Sequence, residues 1–217
     1  MEHIKDYLSK TKSAVQKVFE AYDSYLELMK IPQRPAFFYW GDPNSEENKQ
    51  AYAKWRIENK EVLKERHHRD DEYAFELFAR STLAGTILQF AYNGINIFSK
   101  NNLANENFKN IIKPNSRPAK FCIGRLIDDI PIGLIIYAGR NQAMHFDDKD
   151  INELNKSVFY KLANWYSPTF KKWFVDSYYD LNNDQIIHYA GNILYKLGWS
   201  AYIFYEQDML EMLQNNI

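Results

Sequence analysis

Cysteine is almost missing from this chain. Cys122 stands alone among 217 residues, which excludes an intrachain disulfide framework and a thiolate-rich zinc site and fits a reducing, cytoplasmic setting. Long apolar runs are missing as well: the longest, IPIGLIIYAG from Ile130 to Gly139, is far short of the roughly 20 residues a membrane-spanning helix needs. The opening MEHIKDYLSKTKSAV carries polar side chains in every turn, unlike the basic-then-apolar order of a secretory leader. Neither membrane insertion nor secretion is expected. An excess of one charge is absent too, with 27 basic and 28 acidic side chains, so no global field draws nucleic acid and any RNA contact must rest on a local site. Only eight glycines are present; none forms a nucleotide-binding loop, period-two patterns are scarce, and no repeat is found. These absences leave an all-helical chain, a helical bundle with additional helices, read as one domain over residues 1–217.

What is abundant is aromatic: 16 Tyr, 14 Phe and 5 Trp. Ile4, Leu8, Val15, Val18, Phe19, Tyr22, Leu26 and Met29 recur at helical intervals and predict a long amphipathic helix ended by Pro32 and Pro35. A charged stretch from Glu46 reads as a solvated helix with Tyr52, Trp55 and Val62 on its sparse apolar side. It leads to a central helix whose stripe is Ala74, Leu77, Phe78, Ser81, Ala84, Leu88, Ala91 and Ile95, with Ala84 and Gly85 small enough to admit a neighbour closely. The Asn-rich segment from Ser99 to Lys120 predicts a long loop suited to facing a substrate. Ser116 is expected to cap a helix with Pro118 in its first turn, and Pro131 to bend or restart the apolar course that runs on to Tyr137. Asp150 with Glu153 predicts a capping box, Ser167 with Pro168 another helix start, and the last segment either two helices broken near Gly198 or one bent helix.

The residues that carry chemistry lie at the end of that apolar run, in YAGRNQAMHF. Arg140 and Asn141 are adjacent and His145 follows five positions after the arginine. In a straight helix this spacing turns the histidine about 140° away and raises it about 7.5 Å, so convergence requires a helix end, a bend or a second subunit. If they converge, imidazole can exchange a proton with a 2′-hydroxyl near neutral pH, guanidinium can hold a phosphate through planar donors, and the Asn141 amide can orient them. A structural reading also exists, in which Arg140 answers a helix C-terminal dipole and His145 fills a turn.

This segment resembles the signature of HEPN domains (higher eukaryotes and prokaryotes nucleotide-binding): an arginine, commonly followed by asparagine, then a histidine after four to six residues. Arg140, Asn141 and His145 match it with four residues between, and the resemblance covers roughly residues 70–166. It implies a metal-independent, cofactor-free endoribonuclease of the toxin–antitoxin or antiviral-defence kind, with Arg140, Asn141 and His145 catalytic. It also implies a homodimer that joins two motifs in one cleft, RNA as substrate, and an antitoxin or defence-system protein as partner. The alternative is a noncatalytic helical interaction or regulatory subunit.

Other residues give weaker signals. Arg80, Arg66 and Arg69 are candidate RNA-backbone contacts. Arg80 sits within an apolar helix and is better suited to a structural pairing, while Asp70, Asp71 and Glu72 offset the local KERHHR charge. Asp128 and Asp129 lack the further carboxylates of a Mg²⁺ site, and Arg125 to Asp129 has the spacing of a helix ion pair. Asp147, Asp148 or Asp150 can orient the His145 ring or cap the next helix. Tyr178, Tyr179, Tyr189, Tyr195, Tyr202 and Tyr205 read as packing rather than base-stacking residues, and Cys122 and His188 as isolated packing residues.

Overall fold

The computed structural model describes residues 2–28, 36–39, 41–148, 150–186 and 188–214, side chains excepted for 2–3, 26–28 and 66–74. The chain is all-α in class. Seven helices are present among the described residues: α1 (Glu2–Leu28), α2 (Glu46–Glu58), α3 (Lys60–Phe98), α4 (Ile132–Met144), α5 (Glu153–Ala163), α6 (Ala190–Leu197) and α7 (Tyr202–Gln214). Two small antiparallel hairpins interrupt them, β1 (Leu126–Ile127) with β2 (Ile130–Pro131) and β3 (Asn164–Ser167) with β4 (Lys172–Val175). By internal contact the chain forms two compact units, residues 24–79 and residues 1–23 with 80–217.

Within the smaller unit, the Ser45 side chain accepts from the Asn48 amide and caps α2. Tyr52 and Trp55 stack at 5.8 Å and both contact Phe37, which gives the sparse apolar side of this charged helix a local partner. Arg66 and Arg69 belong to α3, and their side chains lie outside the described residues.

The larger unit holds the core. The expected α1 stripe is buried at Ile4, Leu8, Val15, Phe19 and Tyr22, and the α3 stripe at Ser81, Ala84, Leu88, Ala91 and Ile95; Leu26 and Met29 fall outside the described side chains. Earlier in α3 the expected stripe fails, since Leu77 and Phe78 are exposed. Helix α4 is buried over most of its circumference and packs on α5 and α6, as expected of a helix apolar all round. Gly85 of α3 lies so close that a Cβ there would meet the Ala143 Cβ at 3.2 Å, so this small residue sets the depth at which α4 seats.

Several local expectations are corrected. Ser116 caps no helix; Arg117 precedes a short 3₁₀ turn, Pro118–Phe121. Helix does not run from Phe121: Asp128 and Asp129, both at positive φ, form the two-residue turn of the β1–β2 hairpin, which requires left-handed backbone at both positions. Pro131 then restarts the chain as the N-cap of α4. Arg125 therefore does not pair with Asp129. It grips Asp208 of α7 through Nε at 2.9 Å and Nη2 at 3.0 Å, and donates to the Leu197 carbonyl at the end of α6. Asn152, not Asp150, caps α5 by accepting from the Asn155 amide. Ser167 starts no helix but closes the β3–β4 hairpin opposite Lys172. Gly198, at φ 72°, ends α6 and separates it from α7, so the last segment is two helices. Of the six C-terminal tyrosines, Tyr179, Tyr189, Tyr202 and Tyr205 are buried, whereas Tyr178 and Tyr195 are exposed. No described helix is long and apolar enough to cross a membrane.

Candidate functional site

Arg140 lies more than a full turn before the end of α4, and His145 is the residue on which the helix stops. His145 has left helical backbone (φ −133°, ψ 37°), while its amide still donates to the Asn141 and Gln142 carbonyls. A helix end thus supplies the change of direction that a straight helix denies. Arg140, Asn141 and His145 line one cavity of about 360 Å³ together with Tyr92, Arg117 and Asp148. Its remaining lining comes from Tyr137, Gln142 and residues 150–152 and 155 at the start of α5.

The guanidinium of Arg140 is held on three sides. Its Nε donates to Gln89 Oε1 at 2.7 Å, its Nη1 to Asn141 Oδ1 at 3.1 Å, and it lies 4.8 Å from the Tyr92 ring centre. The amide of Gln89 is itself fixed, because its Nε2 donates to Asn93 Oδ1 at 2.7 Å and so turns Oε1 toward the arginine. Arg140 is therefore preorganised, with further N–H donors of its fork for an anion in the cavity. This differs from a charge placed on the helix C-terminus, since no basic residue occupies the last turn of α4.

His145 is exposed, at 60% for its side chain, and its Nδ1 lies 2.9 Å from Asp148 Oδ2. Asp148 is held in the same turn, its amide donating to the His145 carbonyl. A proton on Nδ1, facing that carboxylate, leaves Nε2 as the accepting nitrogen. At this exposure the pair orients the ring rather than stabilising the fold. Behind it, Phe146 packs 4.3 Å from the ring of His188, whose protonation burial disfavours, lowering its pKa below the ordinary histidine value. The Gln142 Oε1 accepts from the Tyr189 amide and ties this end of α4 to α6.

The other sequence candidates are elsewhere. Arg80 donates to the Tyr22 hydroxyl at 2.7 Å with its guanidinium 4.1 Å from that ring, and does not line this cavity. Asp128 pairs with Lys196. Burial raises the Cys122 thiol pKa, which disfavours the thiolate a nucleophile needs. Among the described residues no group of three His, Cys, Asp or Glu side chains is placed to hold a metal ion. Gln89, Tyr92 and Arg117 escaped the sequence reading. The first two lie on the face of α3 next to the expected stripe, and Arg117 sits in the Asn-rich segment expected to face a substrate. That segment is tied down by Asn101, which donates to the Leu103 and Ala119 carbonyls, and by Ser99, which donates to that of Lys120.

Comparison with protein families, curated proteins and solved structures gives no match for this chain.

Proposed function

We propose that the chain is a metal-independent endoribonuclease of HEPN-like type, acting in toxin–antitoxin or antiviral-defence chemistry. The supporting observation is one cavity that collects a preorganised guanidinium, Arg140, and an imidazole, His145, oriented by Asp148. The His145 Nε2 takes the proton of a 2′-hydroxyl; the 2′-oxygen attacks the adjacent phosphorus; the bond from phosphorus to the 5′-oxygen breaks; and the imidazolium returns the proton, through water, to the departing oxygen. The products are a 2′,3′-cyclic phosphate and a 5′-hydroxyl, with no net redox change. Arg140 stabilises charge on the non-bridging oxygens, and Asn141 fixes Arg140. Arg117 is a second cation for the same phosphate or its neighbour. A homodimer that pairs two such motifs, and an antitoxin or defence-system protein as regulator, belong to this reading.

A second reading, a noncatalytic interaction or regulatory subunit, draws support from how fully Arg140 is engaged within its own fold. The test compares RNA cleavage by wild type and His145→Ala in the presence of EDTA. Loss of cleavage in the folded variant, with cyclic phosphate among the wild-type products, supports the nuclease. Equal rates remove His145 from the mechanism, and cleavage without cyclic phosphate rejects internal attack. No cleavage by either, with stability lost in Arg140→Ala, favours the interaction protein.

A further inference from the structure

The β3–β4 hairpin displays rings that a core would normally hide. Trp165 is 51% exposed, Trp173 66% and Phe170 68%, and Tyr166 is exposed as well. The register pairs Trp165 with Phe174 and Tyr166 with Trp173, and the rings sit 4.9 Å and 5.6 Å apart. Cross-strand pairs explain why so short a ribbon forms, but they leave the outer ring faces bare. Between Asn164 and Val175 there is no acidic residue, while Lys171 and Lys172 stand exposed at the tip. Lys172 lies 4.7 Å from the Phe174 ring centre. Lys171 adopts φ 50°, a left-handed conformation in which glycine or asparagine is at home, so a cation occupies a position where the backbone prefers other residues.

The place of the hairpin matters as much as its composition. Asn152 and Asn155, at the start of α5, line the cavity, and the hairpin begins directly where α5 ends. The eleven residues of α5 separate the two by about 16 Å. Lys156 and Tyr160 are exposed between them, four positions apart and so on one face. Cations and bare rings thus continue from the cavity to the hairpin tip.

We propose that the β3–β4 hairpin is a stacking platform for the unpaired bases of single-stranded RNA that flanks the phosphate held in the cavity. This rests on the nuclease reading for the cavity but not for the platform itself. Tyr166 and Trp173 on one face of the ribbon, and Trp165 and Phe170, both against Phe174, on the other, take base faces without regard to sequence, and Lys171 and Lys172 take phosphates, the combination by which single strands are held. A second copy of the chain fits less well, because the hairpin is smaller than the about 20–30 residues a side of a stable interface and carries charge of one sign.

The test is fluorescence-anisotropy titration of full-length protein with a labelled, non-cleavable 2′-O-methyl oligouridine and with a duplex of matched length. Wild type is expected to prefer the single strand and to show quenched tryptophan emission on binding. Trp173→Ala should weaken single-strand affinity by about 5- to 100-fold. Lys171→Glu with Lys172→Glu, which spares the rings, should weaken it and flatten the logarithmic salt dependence by about 1.4. Affinity for the non-cleavable strand is read without turnover, so a failed cleavage test and a failed platform are read separately. Unchanged affinity in both hairpin variants overturns the proposal. So does dissociation of a dimer by Trp173→Ala with RNA affinity intact, or hairpin-dependent binding to anionic vesicles without oligonucleotide binding.

Discussion

Removing Asp208 should cost more than its exposed partner suggests. Its carboxylate, 9% exposed, accepts three hydrogen bonds: two from Arg125 and one, at 2.7 Å, from the indole nitrogen of buried Trp199. In Asp208→Ala the indole N–H has no acceptor, at about 1–3 kcal/mol. Arg125, 45% exposed, keeps the Leu197 carbonyl and recovers water, so its loss is about 1 kcal/mol. The sum is about 2–4 kcal/mol. Arg125→Met should be worse, at about 3–5 kcal/mol, because it strands a buried carboxylate and uncaps the last turn of α6. The double variant should cost clearly less than the two singles together, since the second removal relieves the charge stranded by the first. Urea unfolding of the four proteins measures all three quantities, and for a chain of this length each kcal/mol moves Tm by about 2–4 °C. Singles that add to within about 0.5 kcal/mol of the double would refute the reasoning, leaving only lost packing. The consequence reaches the cavity, because α6 is one of the helices against which α4 is seated.

Three further outcomes follow from the geometry. Gln89→Leu removes the acceptor that aims Arg140 and should lower kcat about 10-fold with little change in KM, whereas Arg140→Ala should cost about 10²- to 10³-fold; single-turnover cleavage distinguishes them, and full activity in Gln89→Leu would show that Asn141 and Tyr92 suffice. Gly133→Ala should destabilise by at least about 2 kcal/mol because its Cβ would fall 2.3 Å from the Phe121 carbonyl oxygen, which cannot yield, while Gly191→Ala, 3.6 Å from the Tyr22 hydroxyl, should be neutral or gain about 0.5 kcal/mol. For His188 the folded pKa lies below the unfolded value, so the unfolded chain takes up the proton first. Its contribution is fully present above about pH 6.5 and is lost as pH falls through the folded pKa. Urea midpoints from pH 8 to 5 should therefore decline more steeply for wild type than for His188→Phe, and parallel curves would contradict this.

What the sequence made legible was whatever a single element decides. The α1 stripe and the second half of the α3 stripe are periodic because each faces one core, and Pro131 and Gly198 mark boundaries through their own backbone chemistry. The errors lie where a short or distant partner decides. Asp128 and Asp129 form a turn flanked by strands of two residues each, too short to show alternation. Arg125 finds Asp208 83 positions away, and an aspartate four residues on was the nearer guess. In the β3–β4 hairpin the Ser167–Pro168 pair imitates a helix start, yet the aromatic residues on either side of it form a cross-strand pattern.

The cavity shows the same division between local and long-range information. The five-position step from Arg140 to His145 opposes convergence in any continuous helix, so the motif carries meaning only together with a helix end between its members. That end falls at Met144, and His145 then turns toward Asp148, an acid from the same short loop that the sequence offered alongside Asp147 and Asp150. The arginine depends instead on α3: Gln89 is 51 positions away in sequence and is brought beside it because Gly85 lets α4 approach. Replacing Gly85 by a larger residue should thus separate Arg140 from Gln89 while leaving His145 and Asp148 paired, a division of the site that no spacing rule within the motif contains.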